Sequence, residues 1–111
     1  MEFNIKEEQI GGVIVLNISG GLDAGTAPLL DRQIKQKLVA GIKLVIAMSG
    51  LVLISSAGWS IFIETAVQCK EKGGDIRLAG MNSDAAKIFR IMGMDKIIKS
   101  YAAKDEAVSS F

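Results

Sequence analysis

Apolar and polar positions follow a period of two in some stretches and a helical period in others, and the two kinds of stretch alternate along the chain. Phe3 and Ile5 alternate with Asn4 and Lys6, the pattern of a half-buried strand at a sheet edge. Gly11-Gly12 is a turn signal. Val13 to Ser19 is nearly all apolar and rich in β-branched residues, so it reads as the buried partner of a hairpin. Gly20-Gly21 is expected to break that strand. Ala27, Leu30, Ile34 and Leu38 then recur at helical spacing, with Thr26 as N-cap, Pro28 in the first turn and Gly41 as the stop. Leu44 to Met48 has the composition of a fully buried strand, and Ser49-Gly50 and Leu51 to Ile54 carry the chain to Ser55-Ser56.

A second helix is predicted from about Ala57 to Lys72, with Trp59, Phe62, Ile63, Ala66 and Cys69 at helical intervals. Lys70 and Lys72 sit near its end, and Gly73-Gly74 lies beyond. Ile76 and Leu78 mark another strand. Ser83 is placed to cap a third helix that carries Ala85, Ile88, Phe89 and Met92 on one face and stops at Gly93. Ile97-Ile98 suggests a short strand. Ala103 to Phe111 suggests a last short helix with a tendency to fray. The order β-β-α-β-α-β-α-(β)-α predicts one α/β domain over residues 1–111. Its sheet is expected to be mixed but mainly parallel, with 4–5 strands covered by about four helices.

Composition narrows the chemistry. Half of the 111 residues are hydrophobic, enough for a substantial core. There is no histidine, so the chain holds no imidazole base or ligand and no Ser-His-Asp triad. The single Cys69 forms no internal disulfide and suggests no zinc site. With 13 basic and 12 acidic residues, the net charge of +1 gives no global field toward nucleic acid or an anionic membrane. Neither is expected as a direct partner, although a local basic patch is compatible with this balance. The apolar runs are far below membrane-spanning length, and the first residues lack a signal-peptide pattern, which together suggest a cytoplasmic protein.

The Ser55-Ser56 pair sits where a strand gives way to a helix. One reading is structural: either hydroxyl can accept from an early helical N–H. The other is a phosphate-accepting turn, because a helix start offers free N–H groups and partial positive charge. Catalysis by Ser56 is disfavoured, since Ile54 occupies the first glycine position of a Gly-x-Ser-x-Gly elbow and neither His nor a Ser-x-x-Lys pair is present. Gly20-Gly21-Leu22-Asp23 has no Walker lysine and reads as a strand-to-helix connection. Trp59 fits either core packing or an interface anchor. Met81, Met92 and Met94 read as core filler, and Glu7-Glu8 and Asp105-Glu106 as solvated surface.

Three segments together carry a family resemblance. They are Ser19 to Ala27, Leu44 to Gly58, and Gly73 to Gly80 with Ile91 to Ile98. The chain resembles the anti-sigma factor antagonists, whose domain is called STAS (sulfate transporter and anti-sigma antagonist). The resemblance implies a non-enzymatic, cofactor-free partner switch. Such proteins bind a serine-kinase anti-sigma factor, lose binding when the kinase phosphorylates a serine in the turn, and regain it through a PP2C-type phosphatase. By the motif, the modified serine is Ser56, and Asp23, Thr26, Ser55, Gly58 and Trp59 belong to the partner surface. Ala47 and Trp59 depart from the family pattern, which has Asp and Leu there. The missing carboxylate at Ala47 is expected to weaken control of the turn. It would favour the alternative of a constitutive scaffold in a transporter or signalling complex, without a phosphate cycle.

Overall fold

Alternation along the strands decides which helix covers which face of the sheet. The computed structural model describes residues 2–111. Strands β1 (Asn4–Ile10), β2 (Val13–Leu22), β3 (Lys43–Ile54), β4 (Asp75–Ala79) and β5 (Lys99–Tyr101) form one sheet in the order β1-β2-β3-β4-β5. The β1–β2 hairpin is antiparallel, and the remaining pairs are parallel. Helices α1 (Ala27–Lys35), α2 (Ser56–Glu71), α3 (Ser83–Ile91) and α4 (Lys104–Ser109) follow the connections, with a 3-10 turn at Met94–Lys96.

Leu44, Ile46 and Met48 of β3 point to one face and pack with Leu30, Ile34, Phe62, Ala66 and Phe89 of α1, α2 and α3. Val45 and Ala47 point to the other face and join Val13, Val15, Ala79 and Ala107 of α4. The same alternation separates two neighbouring carboxylates. Glu7 binds Lys37 (3.0 Å) and Gln33 (3.0 Å) on the α1 side. Glu8 binds Lys104 (2.6 Å) on α4 and the side chain of Asn17 (3.0 Å). These residues lie at the solvated surface as expected and also act as clasps between the edge strand and the helical layers. Glu106 is likewise engaged, accepting from the Ala103 amide at 3.1 Å.

Several boundaries differ from the expectation for local reasons. Gly20-Gly21 does not end β2. The strand continues to Leu22 through two register shifts against β3, and Gly20 takes φ +88 where a Cβ would lie 1.8 Å from the Glu2 carbonyl oxygen. Helix α1 stops at Lys35, short of Gly41, because Lys37 makes a tight bond to the Ile34 carbonyl (2.9 Å) while its ammonium is drawn to Glu7. Asn82, not Ser83, caps α3, its side chain accepting from the Ala85 amide. Strand β5 starts at Lys99, because the 3-10 turn draws the Ile97 and Ile98 amides to the Met94 carbonyl.

The last helix is anchored rather than frayed. The buried Arg77 pairs with Asp75, its Nε donates to Ser110 Oγ at 2.9 Å, and its guanidinium lies 4.2 Å from the Phe111 ring centre. Replacing Arg77 by Ala should therefore lower stability by roughly 1–3 kcal/mol. Urea unfolding with amide exchange checks this, and protection should fall in α4 well before β3.

Candidate functional site

The ends of two neighbouring parallel strands bring the singled-out turns together. Leu22, the last residue of β2, pairs with Ile54, the last of β3. One residue on, the Ser55 amide donates to the Leu22 carbonyl at 2.8 Å. The Asp23–Thr26 turn and the Ser55-Ser56 turn thus lie side by side at the carboxyl end of the sheet, where open α/β sheets place their sites.

Gly58 makes this closeness sterically feasible. A Cβ there would lie 2.7 Å from Leu22 Cδ2 and 3.1 Å from Ile54 Cγ2. The first turn of α2 therefore rests directly on the two strand ends, and Gly58 is a buried packing residue.

The Asp23 turn is closed by its own side chains. Asp23 Oδ1 accepts from the Gly25 amide (2.9 Å) and the Thr26 amide (3.0 Å). Thr26 Oγ1 accepts from the Asp23 amide (2.9 Å) and donates to the Gly21 carbonyl (2.8 Å). Thr26 occupies the N-cap position of α1, but its hydroxyl ties the turn back to β2 and makes no cap bond. The Thr26 amide, followed by that of Gly25, holds the Asp23 carboxyl below its ordinary range. Asp23 is exposed, so it presents a fixed negative charge beside the second turn.

The Ser55-Ser56 pair is not explained by capping. Ser55 is the N-cap residue of α2, yet no side-chain cap bond forms, and its buried Oγ finds no partner among the described residues. Ser56 is the first helical residue and is exposed. The start of a 16-residue helix is therefore left with unsatisfied N–H groups beside an accessible hydroxyl.

Trp59 resolves toward the core. It is 3% exposed, and its ring meets Phe62 edge-on (5.8 Å between centroids) and Phe89 (6.4 Å). Any part it plays at a surface runs through a groove of about 180 Å³ that it lines with Met48 and Met81, between the end of β3 and α3. Val52 and Leu53 stand on the rim at 61% and 46% exposure. Sequence reasoning passed over this groove. The available signal was Leu51 to Ile54, four apolar residues in a strand that cannot all point inward. Of the methionines, Met94 is core and Met92 is half exposed.

The expected effect of Ala47 fails on geometry. Strand β3 runs unbroken for 12 residues, and Ala47 lies seven residues before its end. Two register shifts lie in that stretch, so Ala47 and Ile54 oppose Asn17 and Leu22, and at about 3.3 Å per residue along β2 Ala47 lies roughly 17 Å from the strand end. Ala47 also faces the α4 side of the sheet.

The sequence profile of the STAS domain matches residues 4–107. The chain belongs to the STAS domain family. This STAS domain is 28% identical over 106 residues to the anti-sigma-B factor antagonist of Bacillus subtilis, a match covering 96% of each chain. The crystal structure of an anti-sigma factor antagonist from Mycobacterium paratuberculosis matches it with a TM-score of 0.86 at 25% identity, covering 98% of this chain and 93% of that one. The Bacillus cell fate determinant SpoIIAA in its phosphorylated form shares the fold, with a TM-score of 0.75 at 16% identity over 96% of this chain and 98% of that one.

The Asp23 turn of the STAS domain has a definite pH signature. Its folded carboxyl is shifted down, so its stabilising contribution is fully present above the unfolded aspartate value and is lost as pH falls through the folded value. In an NMR titration, the Gly25 and Thr26 amide shifts should move together, with a midpoint below that of a free aspartate. A midpoint at or above the free value would refute the closed turn.

Proposed function

We propose that this STAS domain is an anti-sigma factor antagonist whose binding to a serine-kinase anti-sigma factor is switched off by phosphorylation of Ser56. The observation that carries the reading is the exposed Ser56 hydroxyl at the uncapped start of α2, beside the fixed charge of Asp23. The relatives named as anti-sigma factor antagonists support it. So does the same fold in SpoIIAA, which has been solved both unphosphorylated and phosphorylated.

The physical logic has two parts. Inside the molecule, a phosphate on Ser56 meets the open N–H groups and positive end of α2, so the fold tolerates it. Outside, the same phosphate adds roughly −1.5 to −2 charges next to Asp23. Like charge facing a partner surface costs several kcal/mol, and about 1.4 kcal/mol is tenfold in affinity. Binding would thus fall by orders of magnitude while the domain stays folded. Removal of the phosphate by a PP2C-type phosphatase would restore the docking surface of Asp23, Thr26, Ser55 and Ser56, held in place by the buried Gly58 and Trp59. The constitutive scaffold loses its main support, because Ala47 is remote from the turn.

Two variants test this with the cognate kinase. Ser56→Asp should bind at least about tenfold more weakly. Ser56→Ala should bind like the parent and take up no phosphate from ATP, as read by mass spectrometry. Parental affinity in Ser56→Asp, or stoichiometric phosphate retained in Ser56→Ala, contradicts the proposal.

A further inference from the structure

The net charge of +1 leaves room for a local excess of cations, and one lies at the far end of α2, where Glu71 stands between Lys70 and Lys72. Helix α2 spans 16 residues from Ser56, so its far end lies roughly 20 Å away at 1.5 Å per residue. There Lys70 Nζ donates to the Ile97 carbonyl at 3.4 Å, joining the last turn of α2 to the segment after α3. From Arg90 to Lys99 that segment holds Arg90, Lys96 and Lys99 against a single acid, Asp95. Among the described residues, neither these three cations nor Lys70 forms an ion pair.

The same segment carries two sets of apolar residues, and only one is used by the core. Phe89, Met94 and Ile98 are buried at 2%, 1% and 1% exposure. Ile91, Met92 and Ile97 are left outside at 76%, 48% and 44%. Packing with the helices accounts for the first set and not for the second. Large apolar residues held among unpaired cations match the chemistry of a surface that lies on an anionic bilayer: the apolar tips enter the headgroup boundary and the cations meet lipid phosphates. A fluid lipid surface adapts to any spacing of those cations, and none of the four is already committed to a carboxylate.

We propose that this end of the domain docks reversibly on an anionic lipid surface, with Ile91, Met92 and Ile97 inserted and Lys70, Arg90, Lys96 and Lys99 against the phosphates. Docked in this way, the Ser56 turn sits at the other end of α2 and stays open to a partner. The inference is independent of the phosphorylation switch.

Co-sedimentation of the intact protein with vesicles tests it. Vesicles of equal parts phosphatidylcholine and phosphatidylglycerol should bind at least about tenfold more tightly than phosphatidylcholine alone, and added salt should weaken the binding. The double variants Ile91→Ser/Ile97→Ser and Lys96→Glu/Lys99→Glu should each lose about tenfold in partition. Their thermal melts should match the parent, since all four positions are exposed. Ser56→Asp should bind vesicles like the parent, which separates this surface from the switch. Equal binding to neutral vesicles, or binding that survives both double variants, overturns the proposal. Capture of soluble polyglutamate without vesicle binding would assign the surface to an acidic protein and overturn it too.

Discussion

The hydrogen bond from the Ser55 amide to the Leu22 carbonyl fixes the geometry on which the candidate site depends. It extends the β2–β3 ladder one residue past the last paired positions, Leu22 and Ile54. In doing so it sets where α2 begins and how closely that helix start approaches the Asp23 turn. Gly58 completes the arrangement by leaving room for Leu22 beneath the first helical turn. Two turns far apart in sequence are thereby held on one rigid edge, and the Asp23 turn is closed in addition by bonds of its own.

That rigidity shapes what a charge change at Ser56 can do. Below it lie Leu22, Trp59 and Phe62, all buried in the larger core. A close-packed interior resists small displacements, so a phosphate acts on the surface potential before it acts on the backbone. Asp23 contributes a charge that its own turn keeps ionised. The opposite end of α2 has the complementary character, with unpaired cations around exposed isoleucines. One helix thus separates a surface suited to switching from a surface suited to docking.

Much of this was legible in the sequence, because the periodicities were strong where burial was strong. The apolar runs of β2 and β3 and the stripes of α1, α2 and α3 gave the order and the mainly parallel sheet. The motif residues singled out Ser56 and Asp23, which the fold brings to the same end of the sheet. The misreadings came from interactions that local pattern does not encode. Gly20-Gly21 looks like a break, yet register shifts absorb it inside a strand. Thr26 does stand at the N-cap of α1, though its hydroxyl turns back to the Gly21 carbonyl, whereas Ser83 looks like a cap and Asn82 reaches the Ala85 amide first. The sequence does not show that the solvated Glu7 and Glu8 meet partners on opposite faces of β1, from the α1 and α4 sides. Ala47 reads as the end of the buried strand when that strand is confined to Leu44 to Met48. With β3 continuous, it belongs to the other face.

The central claim is that Ser56 is a charge switch mounted on a base that does not move. A map of backbone amide shifts, taken before and after phosphorylation by the cognate kinase, tests it most directly. The account predicts changes confined to Leu22–Thr26 and Ile54–Ser60, with the rest of α2 and all of α4 unshifted. Changes spread along α2 or across the sheet would show that the phosphate remodels the fold, and would contradict it.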